Sequence, residues 1–131
     1  MTKIENYLLD SNTIIDYMEG KMPSQALDKV DKIVNQKTRI SVITQIEILG
    51  WFGATTDQLK LIYQFVEDAI IFSFIPEIVN LTISIRQRHK IKLPDAIIAA
   101  TALVYDLTLL SRNVDDFKKI NGLKIINPWE L

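Results

Sequence analysis

An α/β fold in three layers, with a mostly parallel central sheet between helices on both faces, is what this sequence predicts. Short apolar, β-branched runs alternate with amphipathic helical stretches from end to end, the pattern of βα units whose strands lie parallel. The helical stretches take more residues than the strands. No internal repeat, low-complexity tract or linker interrupts the 131 residues, which suits a single domain over residues 1–131.

Tyr7-Leu8-Leu9 is a short apolar run that stops at Asp10, the mark of a buried strand ending in a carboxylate. Thr13 to Met18 reads as a short helix, broken by Gly20 to Pro23. Ser24 to Asn35 places Leu27, Val30, Ile33 and Val34 on one helical face. Arg39 to Val42 is a strand. Thr44 and Glu47 then have the spacing of a capping box, as do Thr55 and Gln58 at the head of a helix striped with Leu59, Ile62, Tyr63 and Val66. Between them, Trp51 and Phe52 are either core or an aromatic contact for a partner. Ala69 to Phe74, β-branched and aromatic, is a strand. Pro76 suits a first helical position, and that helix runs to about His89. Pro94 starts another, Asp95 to about Tyr105, whose Ala96, Ala99, Ala100 and Ala102 let it lie close against the sheet. Leu107 to Leu110 is a strand, Asn113 opens a short turn or helix ending near Lys119, and Lys124 to Ile126 is a last strand closed by Pro128.

The net charge of −1 argues against a broad phosphate-neutralising face. It leaves room for an enzyme that meets phosphates through metal ions. With no cysteine and a single histidine, His89, zinc-thiolate and histidine-based chemistry are disfavoured. His89, between Arg88 and Lys90, reads as exposed. The opening Met1-Thr2-Lys3-Ile4-Glu5-Asn6 lacks the layout of a signal peptide. No apolar run approaches the roughly 18 residues of a membrane span. A soluble, cytoplasmic protein without membrane contact is expected.

The carboxylates carry the functional signal. Asp10 follows the first strand, where open parallel sheets place their ligands, yet Asp10 or Ser11 also suits a helix cap. Glu47 lies among Ile43, Ile46, Ile48 and Leu49, a setting in which an acid usually needs a partner. Asp95 heads its helix, where the dipole alone favours an acid by about 0.3–1 kcal/mol. Asn113 can cap a short helix, answered by Asp116, and Asp115 can be solvated. Strand ends of a parallel sheet meet at one edge, however, and carboxylates gathered there repel. Mg²⁺ or Mn²⁺, which favours oxygen ligands, relieves that repulsion and can activate a water for phosphodiester cleavage.

Over nearly its whole length the chain resembles a PIN domain, and the VapC-type toxins of bacterial toxin–antitoxin pairs in particular. Leu8-Leu9-Asp10-Ser11-Asn12 resembles the family's first acidic motif, usually written LLDTN. Ile43-Thr44-Gln45-Ile46-Glu47 resembles its strand-then-helix glutamate. The segment Leu93-Pro94-Asp95-Ala96-Ile97-Ile98-Ala99-Ala100-Thr101-Ala102 closely matches its most specific motif. Leu110-Ser111-Arg112-Asn113-Val114-Asp115-Asp116-Phe117 resembles its threonine-arginine-asparagine segment. Each piece alone is weak, and the ordered set is specific.

The resemblance implies a metal-dependent endoribonuclease whose acidic core is Asp10, Glu47 and Asp95, a cognate antitoxin that blocks the site, and commonly a homodimer. Asp10 and Asp95 would bind Mg²⁺ or Mn²⁺, with Glu47 completing the shell or helping to deprotonate water. Ser11 stands where the family often has threonine. Asn113 occupies a place where many PIN domains have aspartate, and Asp116 rather than Asp115 is favoured as the fourth acid. Ser11 and Asn12 would fix the helix start, and Ser111 or Asn113 would touch a phosphate or a metal-bound water. Arg86, Arg88, Lys90 and Lys92, in the most basic stretch, and Arg112 are candidate RNA contacts; a solvated helix end is the plain alternative for that stretch. Two other readings are a catalytically weak PIN-like module that acts through its partner, and a haloacid-dehalogenase-type phosphatase. The phosphatase needs a second aspartate two positions after the first, and that position is Asn12.

Overall fold

The computed structural model describes residues 6–131, so the reading of the first five residues lies outside it. The elements are β1 (Tyr7–Leu9), α1 (Ser11–Glu19), α2 (Ser24–Gln36), β2 (Arg39–Ser41), α3 (Val42–Leu49), α4 (Thr56–Glu67), β3 (Ile70–Phe72), α5 (Pro76–Arg88), α6 (Leu93–Val104), β4 (Thr108–Leu110), α7 (Val114–Phe117) and β5 (Ile125–Ile126). A single 3₁₀ turn, Pro128–Glu130, follows. Every paired strand is parallel. One ladder runs β1-β4-β5 and a second pairs β2 with β3. The two ladders meet where β1 lies against β2.

Side-chain alternation along the strands builds the layers. Leu8 and Leu109 point to a core shared with Ile78 and Ile85 of α5, Ile98 of α6 and Phe117 of α7. Their neighbours Leu9 and Leu110 point the other way, to Ile14 of α1, Ile48 of α3 and Ile62 and Val66 of α4. Both faces of the strands are therefore covered, as expected of parallel sheets. Helix α6 is buried on every side from Ala96 to Ala102, and its small side chains allow the close approach to α5. Among the described residues no helix is long and apolar enough to cross a membrane.

Several local expectations need correction. Helix α1 begins at Ser11 because Asp10 caps it, its side chain accepting the Thr13 N–H at 2.9 Å; Ser11 and Asn12 do not fix that start. Helix α3 begins at Val42, directly on β2, with Ser41 as its cap. Thr44 and Glu47 thus lie inside the helix and form no capping box. Asn113 makes no side-chain cap on α7; its own N–H donates to the Ser111 hydroxyl at 3.1 Å. The Thr55–Gln58 capping box does form. In α4 Tyr63 faces solvent, and Phe65 packs on the core instead. His89 is half-buried at the end of α5.

Trp51 packs against the core beside Ile62, whereas Phe52 is 99% exposed. Trp51→Ala should therefore lower the unfolding free energy by about 3 kcal/mol, at the low end for aromatic truncation. Phe52→Ala should change it by less than about 0.5 kcal/mol. Urea midpoints at unchanged m-value report both.

Candidate acidic site at the strand ends

The β1–β4 register places Leu9 opposite Leu110, so the next residues, Asp10 and Ser111, leave the sheet side by side. The Asp10 N–H donates to the Leu110 carbonyl at 3.4 Å, and the Thr13 hydroxyl donates to the same carbonyl at 3.0 Å. Asp10 is 7% exposed. Burial pushes its carboxyl above the ordinary range, the hydroxyls of Ser111 and Thr13 and the Thr13 N–H oppose the rise, and Asp16 adds to it. One residue thus serves both as helix cap and as buried acid.

Helix α3 carries Glu47 to the same edge. Glu47 is exposed rather than enclosed by its isoleucine neighbours. Its Oε1 accepts from the Ser11 hydroxyl at 2.6 Å, which orients the carboxylate and leaves Oε2 to the outside. Asp95 lies in the first turn of α6 and is half-buried. Its carboxyl is raised first by burial, then by the charges of Asp10 and Glu47, with Lys92 opposing and Asp116 adding a little. Acids from four separate segments thus share one field. Asp115 is exposed and pairs with Lys118 at 3.1 Å, and it is not among the charges that raise Asp95. Lys92 is the one cation that acts on Asp95 against these acids. Among the described residues, no three carboxylates stand close enough to form a ready-made ion cage.

The remaining candidates divide. Ser111 is fully buried and supports Asp10 from behind, so it offers nothing to an incoming phosphate. Asn12 is exposed on the first turn of α1. Lys92 alone of the basic stretch acts on the acids. Arg86 and Lys90 line a separate groove with Gln87 and His89, and Arg88 is exposed. Arg112 stacks its guanidinium 3.6 Å from the centre of the Trp129 ring and faces Asp16 at 4.0 Å. Sequence reasoning missed Thr13, Asp16 and Trp129. The spacing Asp10, Thr13, Asp16 was the available signal for the first two, because residues three apart share a side of a helix.

The family model described as PIN domain matches residues 7–123. Ribonuclease VapC1 of Rickettsia felis is 30% identical over 111 residues, 84% of this chain and 74% of that protein. A toxin–antitoxin complex from Klebsiella pneumoniae contains a chain similar at TM-score 0.74 and 28% identity, covering 96% of this chain and 100% of that one. The DNA-bound VapBC complex from Salmonella typhimurium shares the fold at TM-score 0.81 and 22% identity, over 95% of this chain and 99% of that one.

The raised carboxyl of Asp95 has a consequence for stability without ions. The folded chain holds the Asp95 proton more tightly than the unfolded chain, so this stabilisation is present at acid pH and is lost as pH rises through the raised value. Asp95→Asn should therefore make the chelator-treated protein at least as stable as the parent near pH 7, and the difference should shrink towards about pH 4. Urea titrations across that range decide it. An acid merely favoured by the helix dipole predicts the reverse, a loss of up to about 1 kcal/mol near neutrality.

Proposed function

The chain belongs to the PIN domain family, and on that premise we propose that it is a Mg²⁺- or Mn²⁺-dependent endoribonuclease, the toxin of a toxin–antitoxin pair. It would act in the cytoplasm as a single domain over residues 1–131. The observation that carries this reading is the field at Asp95, where burial and the charges of Asp10, Glu47 and Asp116 all disfavour ionisation. Like charges assembled this way are useful when a cation joins them, and an all-oxygen donor set fits Mg²⁺ or Mn²⁺. When bound, that ion supplies charge neutralisation and makes a water easier to deprotonate.

The protein's own residues have separable tasks in this scheme. Asp10 and Asp95 hold the ion, and Asp116 contributes more weakly from the rim. Ser111 and Thr13 keep Asp10 in one orientation. Ser11 fixes Oε1 of Glu47, leaving Oε2 to take the proton of the attacking water. Lys92, whose charge reaches Asp95, and the exposed Arg88 would guide an RNA backbone towards the site. Arg112, already engaged by Asp16 and Trp129, holds the loop after β4 in place.

The surface also suits a protein partner. A groove of about 580 Å³ between α1, α2 and α4 has Met18, Leu27, Leu61 and Phe65 along it and Asp28, Asp31 and Asp68 around it. A neighbouring hollow shares Met18 and Leu61 and reaches Trp51. An antitoxin segment that is apolar and basic complements both. Exposed Val79 and Ile83, four apart on α5, with Leu93 nearby, offer an apolar stripe to a second copy of the chain.

Purified protein should cleave mixed RNA with Mg²⁺ or Mn²⁺ and stop in excess EDTA. Asp10→Asn and Asp95→Asn should each abolish cleavage and most of the ion-induced rise in melting temperature. Full cleavage in excess chelator would refute the ion's role. An inert protein that still holds its partner would point to a binding module. Leu61→Glu, at an exposed position, should leave cleavage and melting temperature unchanged. It should weaken binding of the co-expressed antitoxin about tenfold or more, measured by calorimetry.

A further inference from the structure

Among the described residues, Thr44 is the one buried polar side chain at this edge without a hydrogen-bond partner. It is 0% exposed, and its hydroxyl oxygen has no hydrogen-bond partner. The other threonines that are buried in or beside helices are all satisfied. Thr13 donates to the Leu110 carbonyl, Thr38 to Val34, Thr82 to Ile78 and Thr101 to Ile97. Leaving a buried hydroxyl unpaired is costly, and valine would fill the same space without that cost.

Its location gives the hydroxyl a meaning. Thr44 precedes Glu47 by one turn on α3 and so shares its side of the helix. Helix α3 packs against both α1 and α6, the helices that begin with Asp10 and Asp95. Each of the other principal acids already has a hydroxyl. Ser11 donates to Glu47, and Ser111 and Thr13 serve Asp10. Of these three inner acids, Asp95 is the one that accepts no hydrogen bond among the described residues; burial and the charges around it are what act on it. An unpaired buried donor and an unpaired half-buried acceptor therefore occupy facing helices at one edge of the sheet.

We propose that Thr44 is a positioning residue of the acidic site, its hydroxyl, unpaired in this structure, donating to the Asp95 carboxylate once a divalent cation is bound and so holding that carboxylate in its ion-bound orientation. The inference rests on the ion-dependent reading above and names a residue that works through Asp95. Donors behind a ligating carboxylate typically change metal affinity by 10–100-fold. A hydroxyl that is idle without the ion contributes nothing to the fold, so its two effects separate.

The test compares Thr44→Val and Thr44→Ser with the parent by Mn²⁺ calorimetry and by thermal melting with and without Mn²⁺. Thr44→Val should be as stable as the parent without ions, or more so, and should bind Mn²⁺ about tenfold more weakly. Thr44→Ser, which restores the hydroxyl, should recover the parent affinity even where it loses some stability to the missing methyl group. Parent affinity in Thr44→Val overturns the role of the hydroxyl. So does weak binding in Thr44→Ser to the same degree, because packing would then be responsible. A parent that binds no Mn²⁺ overturns the ion-dependent reading itself, an outcome distinct from either.

Discussion

The structure depends on one awkward charge. Asp10 leaves a fully apolar strand and enters a helix within a single residue, and its carboxylate stays almost entirely buried. A buried carboxylate is tolerable only when it is hydrogen-bonded or neutralised. Here its neighbours supply the bonds: the Thr13 N–H of the helix it caps and the hydroxyl group of Ser111. This arrangement requires β1 and β4 to end in register and α1 to start without an intervening loop. The strand order and the location of the acidic edge follow from satisfying that group.

The second determinant is the thinness of α6. Its buried run of small residues lets the helix pass close to its neighbours, and Asp95 at its head is held by a rigid element. A bulkier helix would stand further from the sheet and carry Asp95 out of the field of Asp10 and Glu47. The alanines thus belong to the electrostatics of the site as much as to the packing of the core.

How much of this was legible in the sequence varied with the kind of signal. Strand and helix order followed from apolar periodicity, because parallel strands buried on both faces read as short continuous runs. Asp10 and Asp95 stood out because each adjoins a strand end or a proline-led helix start. What failed was the assignment of local hydrogen bonds. The Thr44–Glu47 spacing imitates a cap, but β2 runs into α3 without a loop, so Ser41 becomes the cap and Thr44 is drawn inside. Asn113 looked like a cap for its side chain, yet Ser111 captures its backbone N–H first. Trp129 was invisible because its significance arises through Arg112, a contact between segments distant in sequence.

The divided sheet has a mechanical consequence. Asp10 and Ser111 belong to the β1-β4-β5 ladder, while Glu47 follows the β2-β3 ladder. Backbone hydrogen bonds fix positions within each ladder, but among the described residues none of the paired registers joins β1 to β2. The distance between Glu47 and Asp10 is set instead by side-chain packing and by the Ser11–Glu47 hydrogen bond that crosses the seam. Spacing across that seam is the softest dimension of the acidic edge, the direction in which it can widen or tighten without breaking a strand.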